Sequence, residues 1–170
     1  MKKVIVLNGA GESGKDTFVQ FCRDILLLHN IYVDNISSVD QIKEAAALLG
    51  WDGVKDDRSR KFLSDLKDLS TAFNDGPLHY MVEQVESISL MQETLVFLDI
   101  REPEEIQKAK ETFHAITVLI RRTDPEQFSN HADRNVENYS YDYTIDNYPG
   151  TTFEELKQKA KEFLQKIEVI

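Results

Sequence analysis

A glycine-rich run, Gly9-Ala10-Gly11-Glu12-Ser13-Gly14-Lys15-Asp16, follows a short apolar stretch, Val4 to Leu7, and precedes an amphipathic one. The spacing G-x-x-x-x-G-K suits one chemistry. Glycines let backbone N–H groups curl around an anion, a helix N-terminus adds partial positive charge, and a lysine offers a point charge to terminal phosphates. Gly9, Gly11, Glu12, Ser13, Gly14, Lys15, Asp16 and Thr17 are therefore expected to hold the phosphates of a nucleotide, with Lys15 also acting in catalysis. Asp16 stands where such loops carry Ser or Thr, whose hydroxyl ligates Mg2+. A carboxylate there can bind Mg2+ directly or through water. The alternative is that Asp16 caps the helix and Thr17 serves the metal.

A second carboxylate ends another apolar run, Leu95-Val96-Phe97-Leu98-Asp99. Ligands of open α/β sheets lie at the carboxyl ends of the strands, which places Asp99 beside the loop, on the Mg2+ water shell or the acceptor. Arg101 follows two residues later and is expected in the site; its plainer alternative is a surface pair with Glu104 or Glu105.

These residues need a sheet with helices around it. Val4–Leu7, Leu95–Leu98 and Ala115–Ile120 read as buried strands, with weaker candidates at Ile31–Ser37 and Tyr143–Ile145. Helical spacing runs over Gly14–His29, Gln41–Leu49, Arg58–Phe73, Leu78–Met91, Glu104–Thr112 and a last helix whose inward set includes Phe153, Leu156, Phe163 and Leu164. Gly76-Pro77 reads as a chain break, and Thr151 or Thr152 as one half of a capping box with Glu154 or Glu155. Alternating strands and helices predict an α/β, three-layer P-loop NTPase fold: about five strands, mainly parallel, with helices on both faces.

The bulk numbers narrow the partners. A chain of 170 residues is expected to form one domain. Its formal charge of −10 argues against nucleic acid, which needs a basic face. The apolar run after Lys2 and Lys3 is too short for a signal or membrane segment, and the single cysteine, Cys22, forbids an intrachain disulfide, so a soluble cytoplasmic protein is expected. The four histidines show no metal-ligand spacing and no nucleophilic triad is evident. Phosphoryl transfer needs neither, since positioning and charge neutralisation suffice.

The loop ending Gly14-Lys15-Asp16-Thr17, with Asp99-Ile100-Arg101-Glu102-Pro103-Glu104-Glu105 after the central strand, resembles the deoxynucleoside monophosphate kinases of phage type. The phosphomevalonate kinases of animals share the Gly-Lys-Asp loop and are similar more distantly. The resemblance continues through Tyr143-Thr144-Ile145-Asp146-Asn147 with a following glycine and helix; Ser37 to Met91 matches only loosely. In that family an Asp at position 16 is a shared trait, which implies that it is no lesion.

Such a kinase needs a second anion site and a cover that expels water. Ser38, Asp40, Lys43, Arg58, Arg60 and Arg101 are the acceptor-binding candidates, in a helical region over about 38–92; an Asp-x-x-Lys there is common in the family. Basic residues opposite an apolar stripe also read as a solvated face, and Trp51 and Tyr80, which could stack on a base, read first as core or surface residues. The segment from about 121 to 141 is polar, lacks apolar periodicity and reads as a small lid rather than core. In kinases of this architecture arginines at the strand end and lid clamp the transferring group, since the guanidinium fork binds phosphate oxygens in pairs. Arg121, Arg122 and Arg134 are expected in that role, with His131 and Asp133 as solvated loop residues. The sequence thus points to a kinase using ATP and Mg2+ on a small phosphate-bearing acceptor, a (deoxy)nucleoside monophosphate first, and to a monomer or homodimer. The alternatives are another phosphorylated acceptor such as phosphomevalonate, and a non-catalytic ATP-binding switch.

Overall fold

The structure is a computed structural model that describes residues 2–54, 56–89, 91–122 and 136–170. Arg134, His131 and Asp133 of the expected lid lie outside the described residues. In chain order the elements are β1 (Lys2–Asn8), α1 (Lys15–Leu27), β2 (Tyr32–Ser37), α2 (Asp40–Leu48), α3 (Asp57–Asn74), α4 (Gly76–Ser87), β3 (Thr94–Asp99), α5 (Pro103–Phe113), β4 (Ile116–Arg121), a 3-10 turn (Val136–Asn138), β5 (Tyr143–Asp146) and α6 (Phe153–Lys166). They form two compact units, Met1–Asn35 with Ser89–Ile170, and Ile36–Ile88.

The first unit is built on a sheet of order β2-β3-β1-β4-β5, in which β1 pairs parallel with β3 and β4, and β4 with β5. Ile5, Val6 and Leu7 of the central strand are fully buried, so successive side chains enter apolar layers on both faces. One layer joins Ile5, Leu7, Phe97, Val118 and Ile120 to α1 and α6, where Phe18 meets Phe97 edge-on and Phe163 at a tilt. Alternate residues Val6, Val96, Leu98 and Leu119 are buried outside that cluster, as are Ile106 and Ala109 of α5. The three-layer α/β fold is the expected one.

Local chemistry sets the helix ends. Thr152 and Glu155 close a reciprocal capping box, with Thr152 Oγ1 accepting from Glu155 N and Glu155 Oε2 accepting from Thr152 N. Two readings change. Phe153 is not inward: as the first residue of α6 it lies largely exposed, edge-on to Phe21. The 121–141 segment does contribute to the core, since Val136 is buried.

The second unit holds α2, α3 and α4. Asp56 caps α3, its carboxylate accepting from Ser59 N at 2.7 Å, yet no residue of α3 is buried. Gly76-Pro77 does not interrupt a helix but starts one. Proline lacks only an N–H that the first turn leaves unpaired anyway, and Asp75 in the left-handed region (φ 52°) joins α3 to α4. No helix among the described residues is long and apolar enough to cross a membrane.

Candidate functional site

The loop between β1 and α1 is constrained from both sides. Glu12 and Gly14 take positive φ (58° and 91°), curling the chain into a concave turn. A Cβ on Gly14 would lie 2.5 Å from Asn147 Nδ2, and one on Gly9 would lie 2.5 Å from Ser13 Oγ and 2.7 Å from the Ile120 carbonyl oxygen. Neither position accepts a side chain. Gly14 is also the N-cap of α1, and no side chain caps that end. Asp16 is exposed within the first turn and does not cap the helix, which removes the simpler of its two readings. Ser13 Oγ is buried with no hydrogen-bond partner among the described residues, and Lys15 Nζ donates to the Gly9 carbonyl at 2.9 Å.

Asn8 organises the ends of the strands. It is fully buried; its Oδ1 accepts from Gly9 N (2.7 Å), and its Nδ2 donates to Tyr141 Oη (2.8 Å) and to the Arg101 carbonyl (3.1 Å). Tyr141 Oη in turn donates to the Val136 carbonyl at 2.8 Å, and burial pushes its phenol up to about 12. One amide thus ties the loop to the segment after β3 and to the segment before β5. Asp99 ends β3 in register with Leu7, one residue short of Asn8, so its backbone stands at the loop's root. Arg101 is exposed, and its backbone rather than its side chain makes the contact with Asn8.

The two arginines closing β4 differ. Arg121 is engaged by carboxylates: Nε and Nη2 donate to Glu137 Oε1 and Oε2, each at 3.0 Å, and Nη1 lies 3.6 Å from Asp146 Oδ1. The Glu137 bond raises the arginine's pKa further. Arg122 is exposed and donates from Nη1 to the Glu12 carbonyl at 2.7 Å, so it stands over the phosphate loop. Asn147 locks the same corner, its N donating to the Arg121 carbonyl (2.6 Å) and its Nδ2 to the Ser13 carbonyl (2.9 Å). Gly14, Thr17, Arg122, Asn147 and the turn Tyr148–Thr152 line a cavity of about 220 Å³ against the loop.

The acceptor candidates other than Arg101 belong to the second unit. Asp40 Oδ2 accepts from Ser37 N at 2.8 Å and its Oδ1 lies 3.5 Å from Lys43 Nζ, while Ser38 is buried. Arg60 pairs with Asp57 at 3.1 Å, and Arg58 is exposed beside Asp56.

The loop fits a polyphosphate: it offers an uncapped helix end, an unsatisfied buried hydroxyl, a lysine and an arginine. No group of three or more His, Cys, Asp or Glu among the described residues could hold a metal by itself. The pairings of Asn8 with Tyr141 and of Arg121 with Glu137 are not legible in the sequence, because each joins residues well apart in the chain. Asn147 was legible only as part of a strand, Asn, Gly, helix pattern.

The sheet order, the loop between β1 and α1 and the strand-end carboxylate together define the fold of P-loop kinases. The chain is similar to a candidate kinase from Chloroflexus aurantiacus (13% identity over 97% of each chain, TM-score 0.53). It is also similar to a thymidylate kinase from Ehrlichia chaffeensis (12% identity, 96% of this chain and 99% of that one, TM-score 0.50) and to a shikimate kinase from Bacteroides thetaiotaomicron (12% identity, 98% of each, TM-score 0.50). No protein-family model and no curated protein matches the sequence. At these identities the likeness is one of fold.

Proposed function

We propose that this chain is an ATP-dependent phosphotransferase that moves the γ-phosphoryl of Mg-ATP to a (deoxy)nucleoside monophosphate. The observation that carries the reading is the loop, whose buried Ser13 hydroxyl and uncapped α1 terminus are groups that phosphate oxygens would satisfy. Lys15 Nζ would exchange the Gly9 carbonyl for a terminal phosphate oxygen, and the 220 Å³ cavity beside Arg122 would receive the donor base. Asp16 and Asp99 would hold Mg2+, which would supply charge neutralisation on the phosphates. A phosphate oxygen of the acceptor attacks the γ-phosphorus in line as the bond to the β-phosphate oxygen breaks, and ADP carries away that electron pair. Arg122, with Arg101, Arg121 and Arg134, would neutralise the charge that spreads over the transferring group. Ser38, Asp40, Lys43, Arg58 and Arg60 are the residues proposed to recognise the acceptor, together with Arg101. The buried Cys22, whose thiol burial holds neutral, suits a reducing cytoplasm.

One observation favours a second reading. The two-pronged Arg121–Glu137 pair gives the strand-end arginine a carboxylate in place of a phosphate, as a non-catalytic ATP-binding switch would tolerate. ADP release from Mg-ATP, measured against ribo- and deoxynucleoside monophosphates and phosphomevalonate, separates the two. Release that depends on one monophosphate supports the kinase, release with phosphomevalonate alone moves the acceptor class, and nucleotide binding without release from any acceptor supports the switch.

A further inference from the structure

Trp51 is the only tryptophan of the chain, and the end of α2 holds it in place. The helix closes in a Schellman turn. Gly50, at a φ of 97°, donates from N to the Ala47 carbonyl at 3.0 Å, and Trp51 N donates to the Ala46 carbonyl at 2.9 Å. An apolar residue at this place commonly packs back on the helix, which is the plain role open to Trp51. The loop adds a second constraint that this role does not need. Asp52 Oδ1 accepts from Val54 N at 3.0 Å, and Trp51 Nε1 donates to the Val54 carbonyl at 3.0 Å, so Val54 is held at both of its backbone groups. The one polar group of the indole is thereby satisfied inside the loop, while the half-buried ring lines a cavity of about 440 Å³. That is the size of a small-ligand site.

The rest of the lining narrows the ligand. Phe62 of α3 and Val54 extend the apolar surface, and Arg58 brings a guanidinium that suits a phosphate. Asp52 and Asp56 share the same lining and disfavour a bare anion, so a phosphate must arrive on something that the aromatic surface holds. A nucleoside monophosphate joins a flat base to a phosphate. We propose that this cavity binds the base of a nucleoside monophosphate, stacked on the Trp51 indole, with Arg58 meeting its phosphate. That the bound monophosphate is the acceptor rests on the kinase reading; the site itself does not. Stacking uses a π face that every base has, whereas an aliphatic phosphate such as phosphomevalonate would leave the indole uncovered.

The single tryptophan makes its own fluorescence the test, on the full chain and without turnover. At least one ribo- or deoxynucleoside monophosphate is expected to quench the emission saturably, and phosphomevalonate and inorganic phosphate to leave it unchanged. In ADP release, Trp51→Leu is expected to raise the KM for that monophosphate about 10- to 100-fold, with the KM for ATP unchanged. Trp51→Phe keeps a stacking ring but loses the bond to Val54, and is expected to recover most of the affinity. Equal losses in the two variants would make Trp51 a loop support and overturn the proposal, as would quenching by phosphomevalonate as strong as by any monophosphate. Monophosphate-dependent ADP release with no change in emission overturns the site and leaves the kinase. Quenching by a monophosphate with no ADP release from any acceptor supports the site and overturns the kinase reading instead.

Discussion

The sheet unit and the helical unit are held together on different terms. Around the phosphate loop Asn8, Arg122 and Asn147 hold the backbone of Gly9, Glu12 and Ser13 from three strand ends, over a core in which Ile5, Val6 and Leu7 are fully sealed. In the helical unit no residue of α3 is more than partly buried, and its cations engage neighbours one turn away, Arg60 with Asp57 and Lys61 with Asp65. On the reading proposed above, the difference separates the two halves of the transfer reaction. A nucleotide's phosphates are the same in every reaction and reward a rigid cradle, whereas the surface that chooses a partner molecule is left on exposed side chains that can move.

If that contrast is right, the largest effect comes from the cradle. Lys15→Ala is expected to lower phosphoryl transfer about 10³-fold, roughly 4 kcal/mol of barrier, while the thermal midpoint stays near wild type. Steady-state ADP release beside a melting curve checks both. An equal loss from a cation of the helical unit would break the comparison.

Next in size is Asn8→Ala. It removes a buried amide and deprives Gly9 N, Tyr141 Oη and the Arg101 carbonyl of their partner, which should cost about 2 to 3 kcal/mol of stability and loosen nucleotide binding with it. Tyr141→Phe removes one arm only and should cost about 1 kcal/mol. A double-mutant cycle should find the two coupled; simple additivity would mean that the chain from Gly9 to Val136 is a crystal of coincidences rather than a unit.

These residues also show what could be read beforehand. The loop, the strand ending at Asp99 and the elements around them were legible because each is written in contiguous residues: glycine spacing, an apolar run, a helical period. The strand order and the Phe18–Phe97–Phe163 packing are not written in that way, because they join residues far apart in the chain. Asn8 was not legible as a hub, because its partners Arg101 and Tyr141 come together only through parallel pairing of β1 with β3 and β4. Arg121 and Arg122 are neighbours of the same type, and no sequence rule tells that one meets Glu137 and the other the loop. At Pro77 the two helices do part as read, and only the start of α4 moves, from Leu78 to Gly76, because a proline is welcome in a first turn.

A smaller effect sharpens the contrast from the other side. Lys43→Ala or Arg60→Ala is expected to raise the KM for the acceptor about tenfold, near 1.4 kcal/mol, without changing the KM for ATP. Stability should hardly move, because the ion pairs lost, with Asp40 and Asp57, are exposed and worth about 0 to 1 kcal/mol. A matching rise in the KM for ATP would show that the two sets of residues do not divide the substrates as proposed.

The smallest expected effect lies back on the sheet, at Asp142. Its carboxylate accepts from Lys110 Nζ, Thr117 N and Thr117 Oγ1 at 2.8 to 2.9 Å, pinning the approach to β5 against β4. Partial burial pushes its pKa up, but the Lys110 ammonium and the Thr117 donors outweigh that and hold it below the ordinary carboxylate value. A depressed folded-state pKa means that the stabilisation is complete above the unfolded value, near 3.9, and drains away as pH falls through the folded one. The side chain is 38% exposed, so solvent screening keeps the contribution to roughly 1 kcal/mol or less. Thermal midpoints taken from neutral pH down to about 3 should therefore fall less steeply for Asp142→Asn than for the wild type. Asp56, also depressed, by the Ser59 amide, supplies the control from the helical unit. Asp56→Asn keeps a capping oxygen and should lower the midpoint little at neutral pH, whereas Asp142→Asn gives up its charge pairing with Lys110 and should lower it more. If the two variants behave alike at both ends of the range, the sheet edge is no more tightly specified than the helices.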